Sequence, residues 1–157
     1  MSKSVVGWLW VAGQGVLLGA LVLWPAGDSW PTPASVLSIA GILFFAGLAL
    51  IAVGALGLGT ALTPTPMPTR SGELKTSGLY KLVRHPIYTG VLITITGMTL
   101  RSGNWVHVAI AAATYVFFDR KAAWEEQRLH EAYPGYASYA SQTGKFIPKL
   151  ANSSRAS

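Results

Sequence analysis

Residues 87–118 decide the fold; they read IYTGVLITITGMTL, then RSGN, then WVHVAIAAATYVFF. Two apolar segments of 14 residues, 87–100 and 105–118, are joined by a short polar turn. At 1.5 Å per residue, each segment predicts a helix of about 21 Å, which is shorter than the ~30 Å hydrocarbon core of a bilayer. We therefore expect a tight helical hairpin that is partly sheltered by protein and helped by Arg101, whose charged end can reach the membrane surface.

Two longer apolar segments precede the hairpin, at residues 5–24 and 35–62. The first is long enough for a bilayer span, and it exceeds the ~7–15 apolar residues of a secretory signal. The second is long enough to cross the bilayer with a tilt. Since 51% of the residues are hydrophobic and only 11% are charged, we predict an all-α integral membrane protein. It should have about four transmembrane helices in a single domain, 1–157.

The interiors of these spans contain few polar groups. No Asp, Glu, Lys or Arg lies well inside a predicted span, and Gln14 is the one strongly polar residue near a span centre. Transporters that couple to ions usually place ionisable groups there, so this pattern argues against a small transporter. Gly15 and Gly19 form a GxxxG pattern, which is typical of close helix packing but is also common by chance in apolar segments.

The Lys and Arg residues predict the orientation of the chain. They lie mainly in the segment 63–86 and after residue 118, whereas the loop 25–34 has none. Because such residues concentrate in cytoplasmic loops, we expect both termini in the cytoplasm. The net charge of +6 is spread beside apolar segments rather than in a dense basic run. This distribution favours membrane lipids as partners and argues against nucleic acid.

Two polar clusters flank the hairpin. The cluster before it consists of Tyr80, Arg84, His85 and Tyr88. The cluster after it consists of Glu125 and Glu126. A chain that goes out and returns brings the residues on either side of the hairpin to one level, so we expect the clusters to meet at the cytoplasmic face.

The residues after 118 predict a cytoplasmic helix at about 119–133, which continues from the hairpin until Pro134. Apolar residues recur at helical spacing along one face, and Glu125 stands in the middle of that stripe. A carboxylate there is costly unless it meets a cation, a donor or a ligand. Ordinary ion pairs with Lys121 and Arg128, worth only ~0.2–0.5 kcal/mol each, are the simpler alternative, and helix spacing alone favours them.

The first cluster also has a simpler structural interpretation. Pro86 suits the first turn of a helix, where its missing N–H costs nothing. Lys81 and Arg84 suit anchors at the membrane surface, and His85 suits a polar residue at headgroup level. Taken one residue at a time, this interpretation is favoured over a functional site.

Three stretches change that balance when they are taken together: GLYKLVRHPIYTG (78–90), EE (125–126) and YPGYASYASQTGKFIP (133–148). In order and spacing they resemble the isoprenylcysteine carboxyl methyltransferase and phospholipid methyltransferase superfamily of membrane enzymes. The shared pattern is Arg-His-Pro-x-Tyr before a hairpin, Glu-Glu with a Leu three residues on, and a Tyr-rich segment that closes on Pro. The resemblance covers roughly residues 56–148.

The resemblance implies S-adenosylmethionine as methyl donor and a cofactor site over the hairpin. The residues that it implies around the cofactor are Tyr80, His85, Pro86, Tyr88, Glu125 and Glu126. We assign Arg84 and Glu126 as catalytic residues that act at the methyl acceptor. The run Gly57-Leu58-Gly59 is similar to the Gly-x-Gly element of some phospholipid members, although it lies before the loop. No metal site is expected, because displacement at a sulfonium carbon needs none and the chain has no cysteine.

The resulting hypothesis is a membrane methyltransferase, placed in a bacterial inner membrane, whose lipophilic acceptor arrives from the bilayer. We favour carboxyl O-methylation of an isoprenylcysteine-like or other lipid-like substrate, because residues 84–86 and the Tyr-rich tail are closer to that branch. The alternatives are N-methylation of a phospholipid head group and a non-catalytic small membrane subunit. The sequence specifies neither the acceptor nor the oligomeric state, and it predicts a loose tail at 149–157.

Overall fold

The computed structural model describes residues 3–59 and 74–149. Within these ranges the chain forms five α-helices, and no β-strand is found. They are α1 (Lys3–Leu23), α2 (Ala34–Leu58), α3 (Pro86–Ser102), α4 (Trp105–Ala132) and α5 (Tyr136–Gln142). A short 3-10 helix, Gly78–Lys81, precedes α3. The predicted all-α class is confirmed.

Two helices are long and apolar enough to cross a membrane: α1 over Ser4–Leu23, and α2. The predicted count of four spans is not established by the structure. Helix α3 has 17 residues, a length of about 26 Å. Helix α4 has 28 residues, but its second half carries most of its charged side chains. The predicted end of the second span at 62 lies outside the described residues, and α2 ends at Leu58.

The hairpin prediction is confirmed, and the turn between α3 and α4 is held from both sides. Gly103 has a φ of 59°, a left-handed conformation that glycine adopts without strain. The side chain of Asn104 caps α4 by accepting a hydrogen bond from the backbone N–H of Val106 at 2.9 Å. The loop after α1 also stabilises the turn, because the N–H of Gly27 donates to the carbonyl of Ser102 at 2.8 Å.

Helices α2 and α3 pack backbone against backbone through small residues spaced seven apart. These residues are Ala40, Gly47 and Gly54 on α2, and Gly90 and Gly97 on α3. A Cβ atom on Gly90 would lie 2.7 Å from the carbonyl oxygen of Gly47. By contrast, a Cβ on Gly15 or Gly19 would meet nothing within 4 Å. The GxxxG pattern of α1 therefore lies on an open face, and the close contact is made by α2 and α3.

Helix α4 runs without a break from the hairpin to Ala132, which confirms the helix predicted at about 119–133. Its first half packs on α3 and α1 around a core of Leu21, Leu92, Ile95, Ala111 and Phe118. The sequence did not predict α5, which lies in the Tyr-rich segment. After α5 the chain returns to the start of α3, where Val83 pairs with Gly144 in a parallel bridge. Of the predicted loose tail, residues 150–157 lie outside the described ranges.

Two matched glycine substitutions test the α2–α3 contact. Within a helix, Gly→Ala alone gains about 1 kcal/mol of propensity, so Gly15→Ala should leave the melting temperature unchanged or raise it. Gly90→Ala should lower it by roughly 2–10 °C, because overpacking against a backbone costs ~1–3 kcal/mol or more. Thermal unfolding in an uncharged detergent, followed by circular dichroism, measures both. Equal stability of the two variants would contradict the packing described.

Candidate functional site

The two polar clusters meet, as the hairpin predicted. Tyr88 of α3 donates its hydroxyl to Glu125 Oε2 of α4 at 3.0 Å. Just before α3, the Nε atom of Arg84 donates to Glu126 Oε1 at 2.8 Å, and His85 Nε2 lies 3.0 Å from the same oxygen. The side chains from the two sides of the hairpin therefore form one connected polar group.

Arg84 ties three segments of the chain together. Besides its bond to Glu126 on α4, its Nη1 atom donates to the carbonyls of Ala140, at 3.1 Å, and Thr143. Its backbone N–H donates to the carbonyl of Gly144 at 2.8 Å. A guanidinium carries five donors in a fixed fork, which allows it to serve α4 and α5 at once. Much of the fork is thus occupied by the protein itself.

Glu126 is a fixed negative charge. Burial alone would raise the pKa of its carboxyl, but the hydrogen bonds from His85 and Arg84 outweigh burial and lower the pKa to about 2. For Arg84, burial would lower the pKa, and the bond to Glu126 raises it instead. Because an ionised carboxylate can only accept, the His85 ring is assigned a proton on Nε2. The other ring nitrogen, Nδ1, lies 3.7 Å from Glu125 Oε2.

Glu125 lies against a pair of stacked rings. The rings of His85 and Tyr88 are inclined by only 1°, with centroids 5.2 Å apart, and Tyr88 packs on Phe118 at 5.0 Å. The side chain of Glu125 is 24% exposed, against 16% for Glu126. In the described part of the chain, its polar contacts with Tyr88 and His85 both use Oε2. Neither of these contacts uses the other carboxylate oxygen, Oε1.

The ion pairs that helix spacing favoured for Glu125 are not formed. Lys121 donates to Gln14 Oε1 of α1 at 2.6 Å. Arg128 donates instead to the carbonyl of Trp124 at 2.8 Å. Lys121 turns towards a neighbouring helix, which spacing along one helix cannot show, and Arg128 bonds to the backbone of its own helix. The costly position of Glu125 is compensated across the hairpin by Tyr88, whose hydroxyl donates to it.

Tyr80 joins the site to the end of α2. Its hydroxyl donates to the carbonyl of Gly54 at 3.3 Å, and a Cβ on Gly57 would lie 3.5 Å from its ring. Burial raises the pKa of Tyr80, and the negative charge of Glu125 raises it further. Gly57 of the Gly-x-Gly run thus lies beside a site residue. Gly59, with a φ of 53°, ends α2.

Pro86 is fully buried as the first residue of α3, where it starts the helix and packs near Gly54. Its predicted place at the cofactor stays a prediction, and its contacts here are with the protein. The sequence did not single out Tyr139 or Phe146. Tyr139 donates to the carbonyl of Tyr80 at 2.5 Å, and Phe146 packs near the His85 ring at a centroid distance of 6.0 Å. The density of tyrosines at 133–139 was the only local signal for this second layer.

Comparisons with known proteins identify a family and several relatives. A sequence model described as phospholipid methyltransferase matches residues 35–135. The chain is 32% identical, over 82 residues or 52% of its length, to a cobalt-zinc-cadmium resistance protein of Cupriavidus metallidurans. It is 35% identical over 77 residues, 48% of the chain, to protein-S-isoprenylcysteine O-methyltransferase A of Arabidopsis thaliana. It is 34% identical over 76 residues, also 48%, to a methanethiol S-methyltransferase of a Pseudomonas species. The matches span 38%, 39% and 28% of these relatives.

The lowered pKa of Glu126 predicts an acid-dependent loss of stability. The ionised form stabilises the fold above its ordinary pKa of 4.5, and this contribution is lost as the pH falls towards about 2. The melting temperature of wild type should therefore exceed that of Glu126→Gln above pH 4.5, and the difference should disappear as the pH falls towards about 2. Both are measured in an uncharged detergent. Asp119→Asn, which alters an exposed carboxylate on the same helix, should retain the wild-type profile. Parallel curves for wild type and Glu126→Gln would refute this.

Arg84 is expected to hold the segment after α5 in place. Arg84→Gln removes hydrogen bonds that involve a charged group, and each is typically worth ~1.5–3 kcal/mol. A loss of ~1.4 kcal/mol is enough to make the detached form of this segment ten times more populated. Limited trypsin digestion should therefore cut after Lys145 at least tenfold faster, a rate that mass spectrometry measures. Lys81→Gln, an exposed change nearby, serves as the control. Unchanged cleavage in Arg84→Gln would show that other contacts hold this segment.

Proposed function

The chain belongs to the phospholipid methyltransferase family, and from this premise we propose that it is an S-adenosylmethionine-dependent membrane methyltransferase. Its acceptor is lipophilic, and the reaction that we favour is carboxyl O-methylation of an isoprenylcysteine-like or other lipid-like substrate. The similarity to a protein-S-isoprenylcysteine O-methyltransferase supports that class of acceptor. The observation that carries the proposal is the half-buried carboxylate of Glu125, held against the stacked rings of His85 and Tyr88.

The residues around Glu125 fit a cationic ligand. One carboxylate oxygen is oriented by Tyr88, and a half-buried carboxylate is stabilised by an opposite charge. The pKa of Tyr80 is raised first by burial and then by the negative charge of Glu125. When bound, S-adenosylmethionine would supply a methyl group on positively charged sulfur. Glu125 and the phenols of Tyr80 and Tyr88 are the groups that would hold it, and the buried surroundings exclude water.

Arg84 and Glu126 remain our proposed residues for the acceptor side, and their contacts support a positioning role. Glu126 holds His85 through Nε2, and Arg84 holds Glu126 as well as the carbonyls after α5. This arrangement turns His85 Nδ1 towards Glu125. Well-oriented groups of this kind accelerate a displacement by aligning the reacting atoms.

The acceptor decides whether a base is required. A carboxylate acceptor is already negative, so this chain needs only to align it. An amine acceptor must lose a proton, and His85 is the candidate for the base. The description of the matching family favours head-group N-methylation as the second candidate. In the non-catalytic alternative, Glu125 and Arg84 only stabilise the fold.

Calorimetry with S-adenosylhomocysteine tests the cofactor site. The purified protein should bind it, and His85→Ala and Glu125→Ala should each weaken binding about tenfold or more, since a hydrogen bond to a charged group is worth ~1.5–3 kcal/mol. Asp119→Ala, which removes a carboxylate 53% exposed on the same helix, should bind like wild type. Absence of binding to wild type would exclude the methyltransferase function. Full binding by both site variants would exclude this site.

Product analysis separates the reactions. Membrane lipids are incubated with the protein and methyl-labelled S-adenosylmethionine, extracted, and treated with base. An ester releases volatile methanol, whereas an N-methyl group stays with the lipid. A label that is volatile before base treatment would indicate S-methylation, which is the activity in the name of one relative. Release only after base treatment is the expected result.

A further inference from the structure

The contact between α1 and α4 contains an unusual set of polar side chains. We call it the α1–α4 seam; its residues are Trp10, Gln14, Lys121, Trp124 and Arg128. Gln14 accepts from Lys121 at 2.6 Å, and the rings of Trp10 and Trp124 lie 6.4 Å apart. The guanidinium of Arg128 lies 3.2 Å above the centre of the Trp124 ring. Spacings of three and four residues place the three α4 members on one helix face.

The seam has more hydrogen-bond donors than its neighbours satisfy. Lys121 is only 4% exposed, and its ammonium group has three donors, of which Gln14 takes one. The Nε1 atom of Trp10 and the Nε atom of Arg128 are both buried without a hydrogen-bond partner. Such groups cost free energy unless something accepts from them. Two cations and an indole N–H that share one seam indicate an anionic ligand.

The seam adjoins the proposed cofactor site. Lys121 Nζ lies 5.1 Å from the centre of the Tyr88 ring and 5.7 Å from that of Phe118. Tyr88 is the residue that donates to Glu125, so one ring separates the two regions. An acidic group bound at Lys121 would thus lie close to the place where a cationic methyl donor binds Glu125. Arg84 is less suited to that task, because its fork already serves Glu126 and two carbonyls.

We propose that the α1–α4 seam binds the acidic head group of the lipophilic methyl acceptor, with Lys121 and Arg128 as the recognising cations. This rests on the proposed function and narrows it to acceptors that carry a carboxylate or phosphate. The occupied seam would satisfy the buried donors, while the apolar part of the acceptor stays in the bilayer. Since residues 35–135 are the part that matches the family, α1 adds acceptor selectivity from outside that part.

The experiment compares two probes that differ only at the head group, which is an anionic carboxylate in one and a neutral carboxamide in the other. The purified full chain, in an uncharged detergent, is titrated with N-acetyl-S-farnesylcysteine and with its carboxamide. Wild type should bind the carboxylate at least tenfold more tightly than the amide, which corresponds to about 1.4 kcal/mol. Lys121→Met should abolish this difference, Arg128→Gln should reduce it, and Lys121→Arg should restore it. Arg120→Met, an exposed cation one residue away, should behave like wild type.

Binding of S-adenosylhomocysteine is measured on the same samples, and it separates this inference from the proposed function. Lys121→Met should bind S-adenosylhomocysteine within about threefold of the wild-type affinity, and this binding also shows that the variant is folded. A larger loss would make Lys121 part of the cofactor site and would overturn the inference. Equal affinity of wild type for the two probes, including no binding of either, would overturn it as well. A third outcome would also overturn it: phosphatidylglycerol displaces the carboxylate probe, and no labelled methyl group is found in either the lipid or the probe. The seam would then bind a structural lipid rather than a methyl acceptor. Failure of S-adenosylhomocysteine to bind wild type would refute the proposed function instead.

Discussion

The carboxylate of Glu126 is the point on which the arrangement of the site depends. One oxygen accepts from both Arg84 and His85, which come from the segment before α3, while Glu126 itself belongs to the far half of α4. Two charge-assisted bonds to one oxygen offset the cost of burying it, as its lowered pKa reflects. Through Arg84 the same interaction reaches the chain after α5, so three distant segments share one electrostatic anchor.

The helix packing makes that anchor possible by fixing the height of each element. Glycines at Gly47 and Gly90 let α2 and α3 approach closely, and the held turn at Gly103 fixes where α4 begins. Helix α4 then returns far enough to place Glu125 and Glu126 beside His85. A rigid scaffold of this kind suits a reaction in which alignment, rather than strong acid or base chemistry, supplies most of the acceleration.

The distribution of charge gives the site two sides with different preferences. Glu125 offers a carboxylate beside aromatic rings, which suits a cation, whereas Lys121 and Arg128 offer donors to an anion a short distance away. Tyr88 stands between them and contacts both. This separation of opposite charges around one ring is the physical basis for proposing that the donor and the acceptor occupy neighbouring places.

The sequence by itself determined the four long helices, the hairpin and the meeting of the two polar clusters, because apolar segment length, turn residues and Pro86 act locally. It also pointed to Glu125 as a carboxylate that needs a partner. The partner was decided only by the tertiary structure: helix spacing favoured Lys121 and Arg128, but those side chains turn to Gln14 and Trp124, and Tyr88 takes their place. Helix α5, the use of Arg84 as a cross-tie and the α1–α4 seam were likewise beyond prediction. Each depends on the distance between residues far apart in the chain, and local periodicity carries no information about that distance.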